Sequence, residues 1–194
     1  MPLFFSDFDS EKMAFVEPGD TVRRQVGFPA VAVSTFSGDI VEDYVRACHP
    51  PEIARLYTAN GSLPVYRAEY KGRKIALFVS RVGAPACVAG LEEIIAMGAR
   101  KIVLFGCCGV LNESATRGKI IVPTSAVRDE GTSQYYFPYS EEIEADKNCI
   151  KTAADLLSEY KIPFVCGKVW TSDAIYRETP ALIAKRKAQG CLGF

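Results

Sequence analysis

The chain has 194 residues, the length of one domain, and 48% of them are hydrophobic, enough to bury a sizeable core. Its 23 Lys and Arg balance 23 Asp and Glu, so no bulk positive charge is available to hold phosphate backbones or anionic lipid, which argues against nucleic-acid and membrane partners. The seven cysteines show no CxxC or Cys/His spacing and His49 is the single histidine, so no metal site is expected. With an acidic N-terminus where a signal peptide needs positive charge, and no apolar stretch of spanning length, this reads as reduced thiols in a cytoplasm.

Residues 1–29 carry Pro2, Pro18, Gly19, Gly27 and Pro29 with little periodicity and are expected to form an irregular arm of a single domain covering 1–194. A strand begins at Val31-Ala32-Val33-Ser34. Gly38-Asp39 follows it: a glycine there either lets backbone N–H groups approach an anion or makes a plain turn. Strands near Leu63 to Tyr70 and Lys74 to Ser80 are separated by Lys71-Gly72-Arg73, which is hairpin spacing. After the small-residue turn Ser80 to Pro85, Val88, Leu91, Ile95 and Gly98 mark one face of a helix, with Glu92 and Glu93 on the other side and Pro85 in the first turn.

Lys101 to Phe105 is a short apolar run that suits a strand buried on both faces. It closes on Gly106-Cys107-Cys108-Gly109, whose glycines point either to a ligand lying against backbone or to close packing, with the cysteines as small buried fillers. Ile120-Ile121-Val122 and Phe164 to Val169 resemble that run, and between them Asp146 to Tyr160 reads as an amphipathic helix through Ile150, Ala153, Leu156 and Leu157. The cluster Val127 to Ser133, followed by Tyr135, Tyr136 and Phe137, is either a solvated loop or a buried ion-pair network holding a pocket wall. Trp170 to Thr179 mixes aromatic, hydroxyl and charged groups that suit a polar heterocycle or sugar. Strands alternating with helices give an α/β class with a mostly parallel sheet and one hairpin.

In this order, Gly38-Asp39, Tyr66-Arg67-Ala68-Glu69 through Gly72, Ser80 to Pro85, Leu91-Glu92-Glu93, Gly106 to Gly109, Val127 to Ser133 and Thr171 to Thr179 resemble the nucleoside phosphorylase family of the uridine and bacterial purine type. The resemblance implies a three-layer α/β fold with a central mixed sheet flanked by helices. It also implies a homodimer or a hexamer built as a trimer of dimers, and exchange of a ribonucleoside's base for inorganic phosphate, the co-substrate, with no cofactor. By position it places Gly38, Asp39, Ser80 and Arg81 on the phosphate and ribose side. It places Cys107, Cys108, Gly109, Ile175, Tyr176, Arg177 and Glu178 beside the nucleobase.

Two departures accompany it. The family's three phosphate arginines align with Glu42, Gly61 and Phe105, none basic; Arg81, standing where glycine is usual, is either a plain surface residue or a substitute for them, a part open also to Arg67 or Arg177. The family also continues past a segment like Gly190-Cys191-Leu192-Gly193 into a Val-Glu-Met-Glu stretch that holds the ribose, and then to a base-protonating aspartate. Those catalytic groups are expected beyond Phe194, so a truncated chain of low activity is the first reading. A nucleoside hydrolase of the same fold and a non-catalytic nucleoside-binding oligomer are the alternatives.

Overall fold

The computed structural model describes residues 8–194. Two compact units emerge, Ser10–Cys107 and a second built on Cys108–Phe194. The sequence expectations for residues 1–7 lie outside the described residues.

In the Ser10–Cys107 unit the arm holds one helical turn, α1 (Pro18–Thr21), with Pro18 at its start and Asp20 in its first turn. The rest of the arm is irregular, but Val22 and Phe28 pack on the unit's own core. β1 (Val31–Thr35) leads into α2 (Gly38–Cys48), which His49 closes in a left-handed conformation. Next come β2 (Glu52–Thr58), β3 (Gly61–Tyr70) and β4 (Arg73–Val79). Tyr70 pairs with Arg73, leaving the two-residue turn Lys71-Gly72 with φ of 49° and 74°. Positive φ at both central positions matches the right-handed twist of the strands, and this is why glycine follows Lys71. Then α3 (Ala84–Met97) crosses to β5 (Lys101–Phe105).

The sheet order is β2-β3-β4-β1-β5, antiparallel from β2 to β4 and parallel from β4 through β1 to β5. Its core gathers Ala32, Leu56, Val65, Ala76, Phe78, Ile94 and Met97. The buried face of α3 is Gly90, Ile94 and Met97, not the expected Val88-Leu91-Ile95 line; Leu91 is half-buried and Ile95 faces solvent. Gly98 lies past the helix end, with φ of 143°. β5 is also not buried on both faces. It is the last strand of its sheet, and Val103, Leu104 and Phe105 are exposed.

The second unit comprises α4 (Glu113–Thr116), β6 (Ile120–Asp129), β7 (Glu142–Glu144), α5 (Lys147–Glu159), β8 (Phe164–Ser172) and α6 (Pro180–Ala188). Its sheet order is β7-β6-β8, with β7 antiparallel and β8 parallel to β6. Pro123 is tolerated inside β6 because β7 pairs only with Ser125 to Val127, and a bulge between Pro123 and Ser125 absorbs the irregularity. Asp146 caps α5 by accepting from the amides of Asn148 and Cys149. Ile150, Ala153 and Leu157 are half-buried on α5, whereas Leu156 is exposed. A small core joins Leu111, Val127, Trp170 and Cys191. The segment Leu192 to Phe194 is threaded beside both Gly109-Leu111 and Lys168-Trp170: Leu111 N donates to Leu192 O, Leu192 N to Lys168 O and Trp170 N to Gly193 O, at 2.9, 2.8 and 3.0 Å.

Candidate functional site

The carboxyl ends of β4, β1 and β5 end in register: Thr35 of β1 sits opposite Val79 on one side and Phe105 on the other. The chain segments that leave them, Ser37-Gly38, Ser80-Arg81 and Gly106-Cys107, therefore start from one sheet edge. Ligands of open α/β sheets bind at this edge. β1 lies between the two strands whose turns the sequence singles out.

Gly38 opens α2 directly after Ser37. A Cβ on Gly38 would meet nothing within 4 Å, and its φ is not positive. Neither strain nor packing demands glycine here, and the helix N-terminus behind it offers free amides and a partial positive charge. Asp39 is exposed in the first turn. Ser80 is buried, 5% exposed; its amide donates to the Thr35 carbonyl at 2.8 Å and its hydroxyl lies 3.5 Å from the Cys87 sulfur. Arg81 is half-buried, and its Nη2 donates to the Leu56 carbonyl at 2.9 Å. Across from it on α3, burial pushes the Glu93 carboxyl up, opposed by the Arg81 charge.

Packing accounts for both glycines of the Gly106–Gly109 loop. A Cβ on Gly106 would come within 2.9 Å of the Phe36 ring, and one on Gly109 within 2.5 Å of the Phe194 ring. The paired cysteines are not buried fillers: Cys107 and Cys108 are both exposed, because β5 is an edge strand and the loop leaves it outward.

The charge cluster at the end of β6 is split between the two expectations: Arg128 is buried, Glu130 is half-buried, and Asp129, which pairs with Arg186, is exposed. Arg128, 8% exposed, gathers the following loop. Its Nε donates to the Ser133 hydroxyl at 2.8 Å, its Nη1 to the Pro138 carbonyl and the Ser140 hydroxyl at 2.8 Å each, and its Nη2 to the Phe137 carbonyl at 3.3 Å. Ser133 in turn donates to Glu130. Asp129 receives Arg186 Nη2 at 2.6 Å and the Trp170 indole N–H at 3.1 Å. The Arg186 guanidinium lies 5.5 Å from the Trp170 ring centre, and Phe194 packs the ring at 5.1 Å between centroids. Asp173 accepts from the Gly131 amide at 2.9 Å, tying the segments after β6 and β8 together.

Past β8, Ile175 to Arg177 make one 3-10 turn in which Ile175, Tyr176 and Arg177 are exposed, Tyr176 almost fully at 98%, while Glu178 is half-buried. Thr179 then caps α6. Of the sequence-selected residues, Gly38, Asp39, Ser80, Arg81 and Cys107 belong to the first unit; Cys108, Gly109 and Ile175 to Glu178 belong to the second. Glu42, Gly61 and Phe105, the positions aligned with the family's arginines, are all exposed, as are Arg67 and Arg177. Sequence reasoning singled out the cluster containing Arg128 without its partners in the following loop, and missed the Arg186 side of the Trp170–Asp129–Arg186 group and Cys87 beside Ser80. Arg128 stood out as a charge at the end of an apolar strand; the other contacts depend on tertiary placement. Among the described residues no group of three or more His, Cys, Asp or Glu could hold a metal ion, and no helix is long and apolar enough to cross a membrane.

The chain is 25% identical over 178 residues to a DeoD-type purine nucleoside phosphorylase of Vibrio cholerae, covering 91% of this chain and 67% of that one. It is 25% identical over 130 residues to a guanosine phosphorylase of Halorubrum lacusprofundi, covering 65% and 52%. Its fold is that of a solved uridine phosphorylase from Vibrio fischeri, with a TM-score of 0.71, 24% identity, and coverage of 86% of this chain and 69% of that one. The mixed strands flanked by helices are the architecture the resemblance implied. Since residues 30–193 match the Phosphorylase superfamily, the chain belongs to that superfamily.

Proposed function

We propose that this chain serves the phosphorolysis of a ribonucleoside, a purine nucleoside or uridine, with inorganic phosphate as co-substrate and no further cofactor, yielding free base and ribose 1-phosphate. The observation that carries the reading is the superfamily match across 30–193, joined to three parallel strands that end in register at one edge. In this reaction a phosphate oxygen bonds to the anomeric carbon as the bond from that carbon to the base nitrogen breaks. The sugar carries positive charge in the transition state, and the base leaves with the electron pair and takes up a proton.

Gly38, with open space before the amides of α2, and the Ser80 hydroxyl supply donors for the anion; Asp39 faces the ribose side. The resemblance assigns the base side to Cys107, Cys108 and Gly109 and to Ile175, Tyr176, Arg177 and Glu178. There Tyr176 offers a ring face for stacking and Glu178 an acceptor for a ring N–H. A cytoplasmic enzyme of nucleoside salvage, assembled as a homodimer or a trimer of dimers, completes the reading. Release of free base from inosine, adenosine and uridine, measured with and without phosphate, tests it; release at the same rate in phosphate-free buffer would refute it.

A further inference from the structure

The loop Ser80–Gly83 leaves the sheet edge where the phosphate side is proposed, and one of its side chains is already committed elsewhere. Arg81 Nη2 donates to the Leu56 carbonyl, 25 residues earlier on β2, at 2.9 Å. A Cβ on Gly90 of α3 would lie 3.6 Å from Leu56 Cδ1 and 3.8 Å from Arg81 Nη1. The guanidinium thus runs across the small buried patch that Gly90 leaves on the helix. One turn further along α3, Glu93 buries Oε2 with no hydrogen-bond partner, and Arg81 is the cation whose field favours its ionised form.

We infer that Arg81 is a positioning residue: it clasps the Ser80–Gly83 loop to β2 through the Leu56 carbonyl and to α3 by lying against Gly90, with the Glu93 carboxylate one turn on within its field, and it does not hold the phosphate. The inference rests on the proposed function only for what the loop holds. Swinging the guanidinium to the sheet edge would break a charge-assisted hydrogen bond and carry the positive charge away from the half-buried Glu93, and both changes are costly. On either side of Arg81 the loop has its own ties: Ser80 N to Thr35 O at 2.8 Å, and Cys87 N to Gly83 O at 2.9 Å. The clasp therefore fixes a short segment whose serine hydroxyl faces the Cys87 thiol.

Hydrogen exchange at the Ser80 and Cys87 amides, in the full protein without substrate, reads the clasp directly. Arg81→Met should speed exchange there about tenfold or more, because a lost charge-assisted bond shifts local opening by at least that factor. Glu93→Gln should speed it less, in the same direction, and the double variant should be no faster than Arg81→Met. Titration with inorganic phosphate should then be weaker for both single variants. Unchanged exchange in both single variants overturns the inference. So does a phosphate affinity abolished by Arg81→Met but tightened by Glu93→Gln, the signature of a direct ligand released from its counter-charge. If the wild-type protein shows no phosphate binding while the exchange pattern holds, the clasp stands and the functional reading falls. Should Arg81→Met fail to fold, Arg81→Lys, which keeps the charge and loses the fork, is expected at an intermediate exchange rate.

Discussion

Replacing Arg128 with methionine keeps most of the stem's volume and removes the four hydrogen bonds that tether residues 133–140. At about 1 kcal/mol net per bond the sum is about 4 kcal/mol. All four hang on one guanidinium, however, and water can reach part of the loop, so about 2–4 kcal/mol is the expected local cost. The cost is local to one loop of the second compact unit, so a residue-level readout is more direct than one global unfolding free energy. Hydrogen exchange at Tyr136 and Phe137, whose amides donate to the Ser133 carbonyl at 3.1 Å, isolates the loop. Exchange there should rise roughly 30- to 1,000-fold, while the amides of β1 stay unchanged. Less than about a threefold change would mean that the loop is held by its aromatic packing, and the argument for Arg128 as its anchor would fail.

Trp170→Phe should lower the melting temperature by a few degrees: it deletes the indole N–H to Asp129, a bond of about 1–2 kcal/mol, and calorimetry would show it. Gly193→Ala should destabilise the second unit by about 1–3 kcal/mol, since its Cβ would meet the Gly109 carbonyl oxygen at 2.9 Å, backbone that cannot turn aside; urea unfolding followed by Trp170 fluorescence reads this. Gly38→Ala should leave thermal stability nearly untouched, with nothing near its Cβ, and raise KM for phosphate. Acid should loosen the second unit. The Asp146 carboxylate is held low by the Cys149 and Asn148 amides and the Glu142 carboxylate by Lys168 and Ser125. Both contribute stability above the unfolded carboxylate range, near pH 4, and lose it as pH falls through their lower folded values. Asp146→Asn should flatten that acid limb for α5, measured by circular dichroism against pH.

Where the chain's local chemistry decides structure, it could be read directly. The Lys71-Gly72 turn, the helix over Asp146 to Tyr160 and the strand running into Gly38 are set by residues a few positions apart. β2 was missed, since Pro50-Pro51 precede it and its alternation is short, and what makes it a strand is pairing to β3. A continuous apolar run implies two covered faces, yet β5 ends its sheet and shows Val103 to Phe105 to solvent; neighbours in space, not in sequence, decide which. The same holds at the candidate site. Ser80 and Gly38 follow strands and so were visible. The direction taken by Arg81 depends on an acceptor 25 residues away, and the role of Arg128 on a loop that folds back onto it.

The central claim is phosphorolysis, and phosphate dependence of base release tests it most directly. With the purified protein, inosine, adenosine or uridine should yield free base and ribose 1-phosphate in equal amounts only when phosphate is present, with a rate that saturates in phosphate. Base released with free ribose, at a rate indifferent to phosphate, would contradict the account.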